Sequence, residues 1–309
     1  MTRQIDYDAL VLGGVGVDTI VHVPELRFPE GDLLSVPPVR DYVAHSGNGV
    51  ALGFLALGLR TKSADLLGDD TLGDLVRARY AQVGLDFTAL PAVNGTPRSV
   101  NFVDDAGRRF SFHDSRHPAG AEIPRDAYVP LLERSRHLHA AGRAAAALED
   151  ARALGVTTST DIHAWDGETD WPKRYAYEAQ LVFMSSAAAP DRIDAIMHDI
   201  LDHGRAEIVV ATEGADGSRI LTRTDPTVRR HPAALPAPDR PVVDSNGAGD
   251  AFSTAFMSRW LTGRPLDECM KAGAVSGAYA CGAHGTHEEQ ITADELEAGL
   301  ARATFADRE

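Results

Sequence analysis

Short apolar runs recur along the chain at residues 9–12, 181–184 and 208–211, each followed by turn residues and then by a new helix or hairpin pattern. A strand that is apolar at every position has to be covered on both faces, and sheets covered that way are built from parallel strands joined by helical crossovers. Strand and helix patterns alternate from end to end, so the expected fold class is α/β, a mostly parallel sheet with helices on both faces. With 309 residues there is room for one such domain and a small β lid, and no second core is required.

Residues 9–18 read as the first buried strand running out into glycines, with Asp18 just past its end. Gly14 and Gly16 match the start of a dinucleotide fingerprint, but Thr19 stands where its third glycine belongs. The stretch 19–23 stops at Pro24, and 35–43 contains Pro37 and Pro38, so both are expected to be edge strands or loops. Two alternating runs, 99–103 and 109–113, flank the turn Asp104-Asp105-Ala106-Gly107 and read as a hairpin. Gly47, Asn48 and Gly49 precede an apolar helix expected over 52–59 and closed at Gly58. Asp69, Asp70 and Thr71 offer side-chain acceptors to the start of the next helix, which ends before Gly84.

The stretch Asp244-Ser245-Asn246-Gly247-Ala248-Gly249-Asp250 carries the most chemistry. It follows Val242-Val243, read as a buried strand end, and enters a helix whose Phe252, Phe256 and Trp260 recur at a spacing of four on one apolar stripe. The first N–H groups of a helix lack internal partners and lie at the positive end of its dipole, so this loop can hold an anion. Gly247 and Gly249 let phosphoryl oxygens approach the backbone. Asp250 would repel a resting phosphate, yet it suits a base that takes a proton from an attacking hydroxyl. The residues are equally compatible with a capped helix after a tight turn.

A net charge of −15 argues against nucleic acid or an anionic membrane as partner, since both select a basic surface. The 2 cysteines, Cys269 and Cys281, fit no metal spacing and read as small apolar helix residues. No long apolar run follows the polar start, so neither a signal peptide nor a membrane span is expected, and the cytoplasm is the default location.

The pattern Asp-Ser-x-Gly-Ala-Gly-Asp-x-Phe, late in a chain of this length, resembles the signature of the ribokinase family, the phosphofructokinase-B type carbohydrate kinases. The resemblance implies a ribokinase-like fold with lid strands within 17–43 and 97–114, and ATP-dependent phosphorylation of a hydroxymethyl group on a sugar or nucleoside. It makes Asp250 the catalytic base and Gly247, Ala248 and Gly249 the anion hole. Asp18 would bind sugar hydroxyls.

The segment from His45 to Ala51 resembles the family's first signature in part. Gly47 and Asn48 fit as substrate ligands, Ser46 replaces a glycine, and Ala51 replaces a second amide, which alters the hydroxyls the site can select. Arg116, in the loop after the hairpin, suits a substrate carboxylate or phosphate or is simply solvated. Thr212, Gly214 and Gly217 match the nucleotide loop, and Ser185 and Ala188 stand where the family carries Asn-x-x-Glu for Mg²⁺. Metal ligands are therefore unassigned, with Asp161 offering water-mediated Mg²⁺ contact or turn chemistry. A homodimer through the lids follows from the resemblance alone. A regulator that binds nucleotide or sugar without catalysis is the alternative from another class.

Overall fold

The computed structural model describes residues 3–27, 31–105, 108–118, 120–237 and 239–306. Strand β1 (Tyr7–Leu12) is buried from both sides: Leu10 and Leu12 enter one apolar cluster while Ala9 and Val11 enter the other. Period-two alternation between two cores is why this strand is apolar throughout.

From β1 the chain passes through β2 (Gly16–Val23) and β3 (Arg40–Ala44) into α1 (Ser46–Ala56), β4 (Thr61–Leu67), α2 (Thr71–Val83) and β5 (Asp86–Pro91). The hairpin β6 (Arg98–Asp104) and β7 (Arg109–Asp114) follows, although its turn residues Ala106 and Gly107 lie outside the described residues. Next come α3 (Arg125–Leu132), β8 (Ser135–Ala140), α4 (Ala145–Ala153), β9 (Thr157–Asp161) and α5 (Asp170–Ala176). Then β10 (Leu181–Ser185), α6 (Ile193–His203), β11 (Ile208–Thr212) and the hairpin β12 (Ser218–Thr222) and β13 (Asp225–His231) complete the sheet. The chain closes with α7 (Ala248–Leu261), α8 (Leu266–Ala280) and α9 (Ala293–Arg302).

Nine strands form the large sheet in the order β13-β12-β11-β10-β9-β8-β1-β4-β5. Pairing is parallel from β11 to β5, and only the β12 and β13 edge is antiparallel. Side chains of α3, α4, α5 and α6 pack on one face, those of α1, α2, α7 and α8 on the other. The chain leaves β1 toward β4 and later returns to β8 on the other side. The strand order therefore switches at β1, where sheets of this type place their ligands. A second sheet of four strands among the described residues, β3-β2-β6-β7, gathers the segments expected to form a lid.

Several expectations are corrected. Residues 9–18 are not one strand: Gly13 and Gly14 take φ of 79° and 72°, the chain turns a corner, and β2 begins in the other sheet. Asp18 is thus inside a lid strand. The stretch 19–23 belongs to the same β2, which is central in the lid, and Pro24 merely follows its end; β3 does lie at the lid's edge.

Helix α1 starts at Ser46, not at residue 52. Its early glycines are close approaches: a Cβ on Gly47 would stand 1.9 Å from the Gly13 carbonyl oxygen. Val242 and Val243 are 58 % and 44 % exposed and form no strand, being held instead by a backbone bond from Val243 to Cys281. Nor is α7 one-sided. Every residue from Ala251 to Met257 is buried, because α1, α8 and the sheet surround it.

Candidate active site

The N-terminus of α7 is fixed by a second loop, 281–287. The buried Asp244 carboxylate accepts the N–H groups of Asn246 (2.9 Å) and Gly285 (3.3 Å). Val243 and Asp244 in turn donate to the Cys281 carbonyl. Gly247 precedes α7 at φ 78°, and a Cβ there would lie 2.0 Å from the Thr286 carbonyl oxygen, so glycine is required both by conformation and by space. At Gly249 a Cβ would meet nothing within 4 Å. The N–H groups of Gly249 and Asp250 take no partner among the described residues. Two free donors at the positive end of a buried helix, beside open space at Gly249, have the chemistry to hold an anion.

Asp250 adds a carboxylate to that site. One oxygen, Oδ2, is 2.9 Å from His287 Nε2. The other imidazole nitrogen, Nδ1, is 3.0 Å from Asn48 Nδ2, which also donates to the Val43 carbonyl at 3.0 Å. Asn48 is fully buried, and its Oδ1 has no partner among the described residues. A buried acceptor left open in this way is satisfied when a donor such as a hydroxyl arrives.

Asp18 reaches the same place from the lid. Its Oδ1 is 3.4 Å from His45 Nε2, and its Oδ2 accepts the Thr286 hydroxyl at 3.3 Å. Burial pushes the Asp18 carboxyl up, but the hydrogen bond and charge of His45, with a hydrogen bond from Asn101, oppose this, and the carboxyl lies below the usual carboxylate range. The group is therefore an ionised acceptor. His45 stands at φ 72°, strained for a non-glycine residue, and its imidazole also contacts Ser99 Oγ at 3.2 Å. Thr286 and His287, adjacent in the chain, thus connect Asp18 to Asp250 and Asn48, which brings the expected acceptor ligands and the expected base into one cleft.

The residues expected to face a nucleotide lie at neighbouring strand ends. Ser185 and Thr212 are paired in the β10 and β11 register. Ser185 Oγ accepts the Ala187 N–H, and Thr212 donates to the Met184 carbonyl. Gly214, at φ 60°, borders open space; Gly217 is a crossing point, where a Cβ would stand 2.2 Å from the His231 carbonyl oxygen. Asp161, at the end of β9, has its carboxyl raised to about 6: burial pushes it up, His163 opposes this, and the charge of Asp250 pushes it further.

Arg116 is exposed and paired with Asp114 at 2.8 Å, outside this bonded set. The lid arginine that enters it is Arg109, which donates to Asn246 Oδ1 at 2.6 Å. Arg109 and His287 were not legible as site residues. Neither belongs to a spaced motif, and only tertiary packing brings them to α7.

A family model described as pfkB family carbohydrate kinase matches residues 11–293. The acarbose 7(IV)-phosphotransferase of Actinoplanes sp. (strain ATCC 31044 / CBS 674.73 / SE50/110) is 46 % identical over 280 residues, covering 89 % of this chain and 92 % of the relative. The ATP-dependent ribose-1-phosphate kinase of Halopiger xanaduensis is 27 % identical over 303 residues, covering 94 % and 97 %. Among solved structures, the microbiome-derived acarbose kinase Mak1 aligns with a TM-score of 0.88 and 44 % identity, covering 96 % of this chain and 99 % of that one. A ribokinase from Giardia lamblia aligns at 0.82 with 14 % identity over 97 % and 99 %, a likeness of fold. The chain belongs to the pfkB family of carbohydrate kinases, and its fold is ribokinase-like.

Proposed function

We propose that this pfkB carbohydrate kinase transfers the γ-phosphoryl group of ATP to a hydroxymethyl group of a sugar-like acceptor, with acarbose the first acceptor to test. The 46 % identical relative named for acarbose supports that choice of acceptor. The observation that carries the chemistry is the junction at the start of α7: free N–H groups at Gly249 and Asp250 beside a carboxylate whose Oδ2 alone is engaged by His287.

In this reading Asp18 and the open Asn48 Oδ1 accept hydrogen bonds from acceptor hydroxyls. Asp250 takes the proton of the attacking hydroxyl. The oxygen of that hydroxyl forms the new bond to the γ-phosphorus as the bond to the ADP oxygen breaks, while the backbone of Gly247, Ala248 and Gly249, with the free N–H groups of Gly249 and Asp250, stabilises the charge on the transferring group. Ser185, Thr212 and Gly214 border the donor nucleotide, and Gly217 shapes the hairpin behind them. Arg109 closes the lid onto Asn246.

Mg²⁺ would neutralise the donor phosphates. Asp161 fits it as an outer ligand through water, because its charge is opposed by that of Asp250 and a cation nearby would relieve the conflict. Location in the cytoplasm, with its ATP supply, belongs to the same reading.

ADP formation with acarbose, ribose, fructose, 2-keto-3-deoxygluconate and nucleosides tests it. Turnover should appear with acarbose and fall on the order of 10²–10⁴-fold in Asp250→Ala with ATP binding nearly intact. Full turnover in that variant overturns the mechanism. Turnover with nucleosides alone points to a nucleoside kinase, and tight binding with no product in the whole panel points to a regulator.

A further inference from the structure

The imidazole of His287 is 2 % exposed and lies between two glycines that belong to the first turns of different helices. A Cβ on Gly49 of α1 would stand 2.3 Å from Nε2, and a Cβ on Gly247 before α7 would stand 2.8 Å from Cδ2. No residue other than glycine at either place leaves the ring where it is. The space has been kept for this ring, and both ring nitrogens are used.

The direction of the bonds follows from chemistry. Asn48 Nδ2 donates to the Val43 carbonyl, which fixes the amide with its NH₂ group toward His287. An amide NH₂ has no acceptor, so His287 Nδ1 must be the bare nitrogen and Nε2 must carry the proton. The Nε2–H then donates to Asp250 Oδ2. The Asn48 NH₂ group donates both to the Val43 carbonyl and to the imidazole, and the imidazole donates on to the carboxylate.

We infer that His287 is a positioning residue for phosphoryl transfer. Neutral and protonated at Nε2, it holds Asp250 by Oδ2 so that Oδ1 faces the acceptor hydroxyl, and it aligns Asn48 so that Oδ1 of that amide is the acceptor left for substrate. The inference rests on Asp250 being the base. It also accounts for Asn48, whose two amide hydrogens are both committed and which therefore recognises substrate donors only. One ring thus sets the base and an acceptor ligand together.

Steady-state kinetics with ATP and acarbose should show kcat lowered roughly 10–100-fold in His287→Ala, with KM for ATP within about twofold, as expected when a reacting group is displaced by about an ångström. His287→Gln, which has a donor and an acceptor at its tip, should recover part of the loss. Gly49→Ala should lower kcat by a similar factor because its methyl group displaces the ring, and it should add nothing in the His287→Ala background.

Wild-type kcat in His287→Ala beside an inactive Asp250→Ala overturns the inference and leaves the base assignment standing; full activity in Asp250→Ala overturns the assignment itself. The ¹⁵N NMR spectrum of the histidine rings, with the His287 signals identified by their loss in His287→Gln, reads the tautomer without any acceptor. A proton on Nε2 and a bare Nδ1 are expected, and a proton on Nδ1 overturns the inference whatever the variants' folding.

Discussion

The two sides of the cleft are built differently. Around the start of α7, Asp244, Asn246, Asp250 and loop 281–287 are tied together by side-chain hydrogen bonds between separate segments, and Gly247 has no freedom left. At the ends of β10 and β11, Ser185 and Thr212 are bonded only to nearby backbone, and Gly214 borders open space. The side assigned to the acceptor and the transfer is preorganised by bonds between distant segments, and the side assigned to the nucleotide is bonded mostly within its own hairpin and opens to space at Gly214. Preorganised donors act on the transition state without reorganising, whereas binding a long flexible ligand needs only surface and local fit. Rigidity is concentrated where charge moves.

Substitutions that add the same methyl group on the two sides should therefore differ widely. Gly247→Ala forces a left-handed φ and a 2.0 Å collision with the Thr286 carbonyl oxygen. It should cost at least about 1–3 kcal/mol of stability and lower kcat by 10²-fold or more, roughly the loss of one oxyanion donor, as measured by urea unfolding and ADP formation.

Asp161→Asn probes the boundary between the sides. The wild-type carboxyl is raised to about 6 in the folded protein against 3.8 unfolded, so its ionisation opposes folding above pH 6 and has no effect below about 3.8. The variant should gain on the order of 1–3 kcal/mol at pH 7.5, with the gain shrinking as pH falls from 6 toward 4. A melting curve series across that range checks it, and a gain that persists at pH 4 would show that the buried charge of Asp161 is not its source.

Smallest is Gly214→Ala, which meets no atom but keeps φ at 60°. A loss of about 1 kcal/mol and a KM for ATP within about twofold are expected. A loss of turnover as large as that of Gly247→Ala would erase the contrast between the two sides.

Much of this arrangement was legible in the sequence because it rests on local rules. The buried strands declared themselves through unbroken apolar runs, and the helix start at Gly247 through its glycines and the phenylalanines beyond it. Asp69, Asp70 and Thr71 were read as acceptors for the start of α2, and of the three Asp70 accepts the Gly73 N–H.

What failed were residues whose neighbours are remote. Gly13 and Gly14 signalled the end of β1 but not the change of sheet that puts Asp18 in the lid. Gly47 and Gly49 read as a turn before a helix, although they lie within α1 as Gly53 does, each beneath a group from elsewhere: the Gly13 carbonyl, His287 and Thr254. The exposed pair Val242-Val243 imitated a strand end because hydrophobicity alone carries no information about a pairing partner. His287 and Arg109 lacked any spacing signal, since their partners are 239 and 137 residues away.

The corner at Gly13 and Gly14 ties the lid to the catalytic sheet through three residues, with the Val15 N–H anchored on the buried Asp65 carboxylate at 2.8 Å. Because Asp18 lies on the lid strand that leaves this corner, the lid is a lever with its ligand mounted close to the fulcrum. A rotation of the four-stranded sheet about this corner would move its far edge more than Asp18. Lids from related kinases could then be exchanged to change what the outer edge touches, while the hydroxyl anchor stays in register with Asp250.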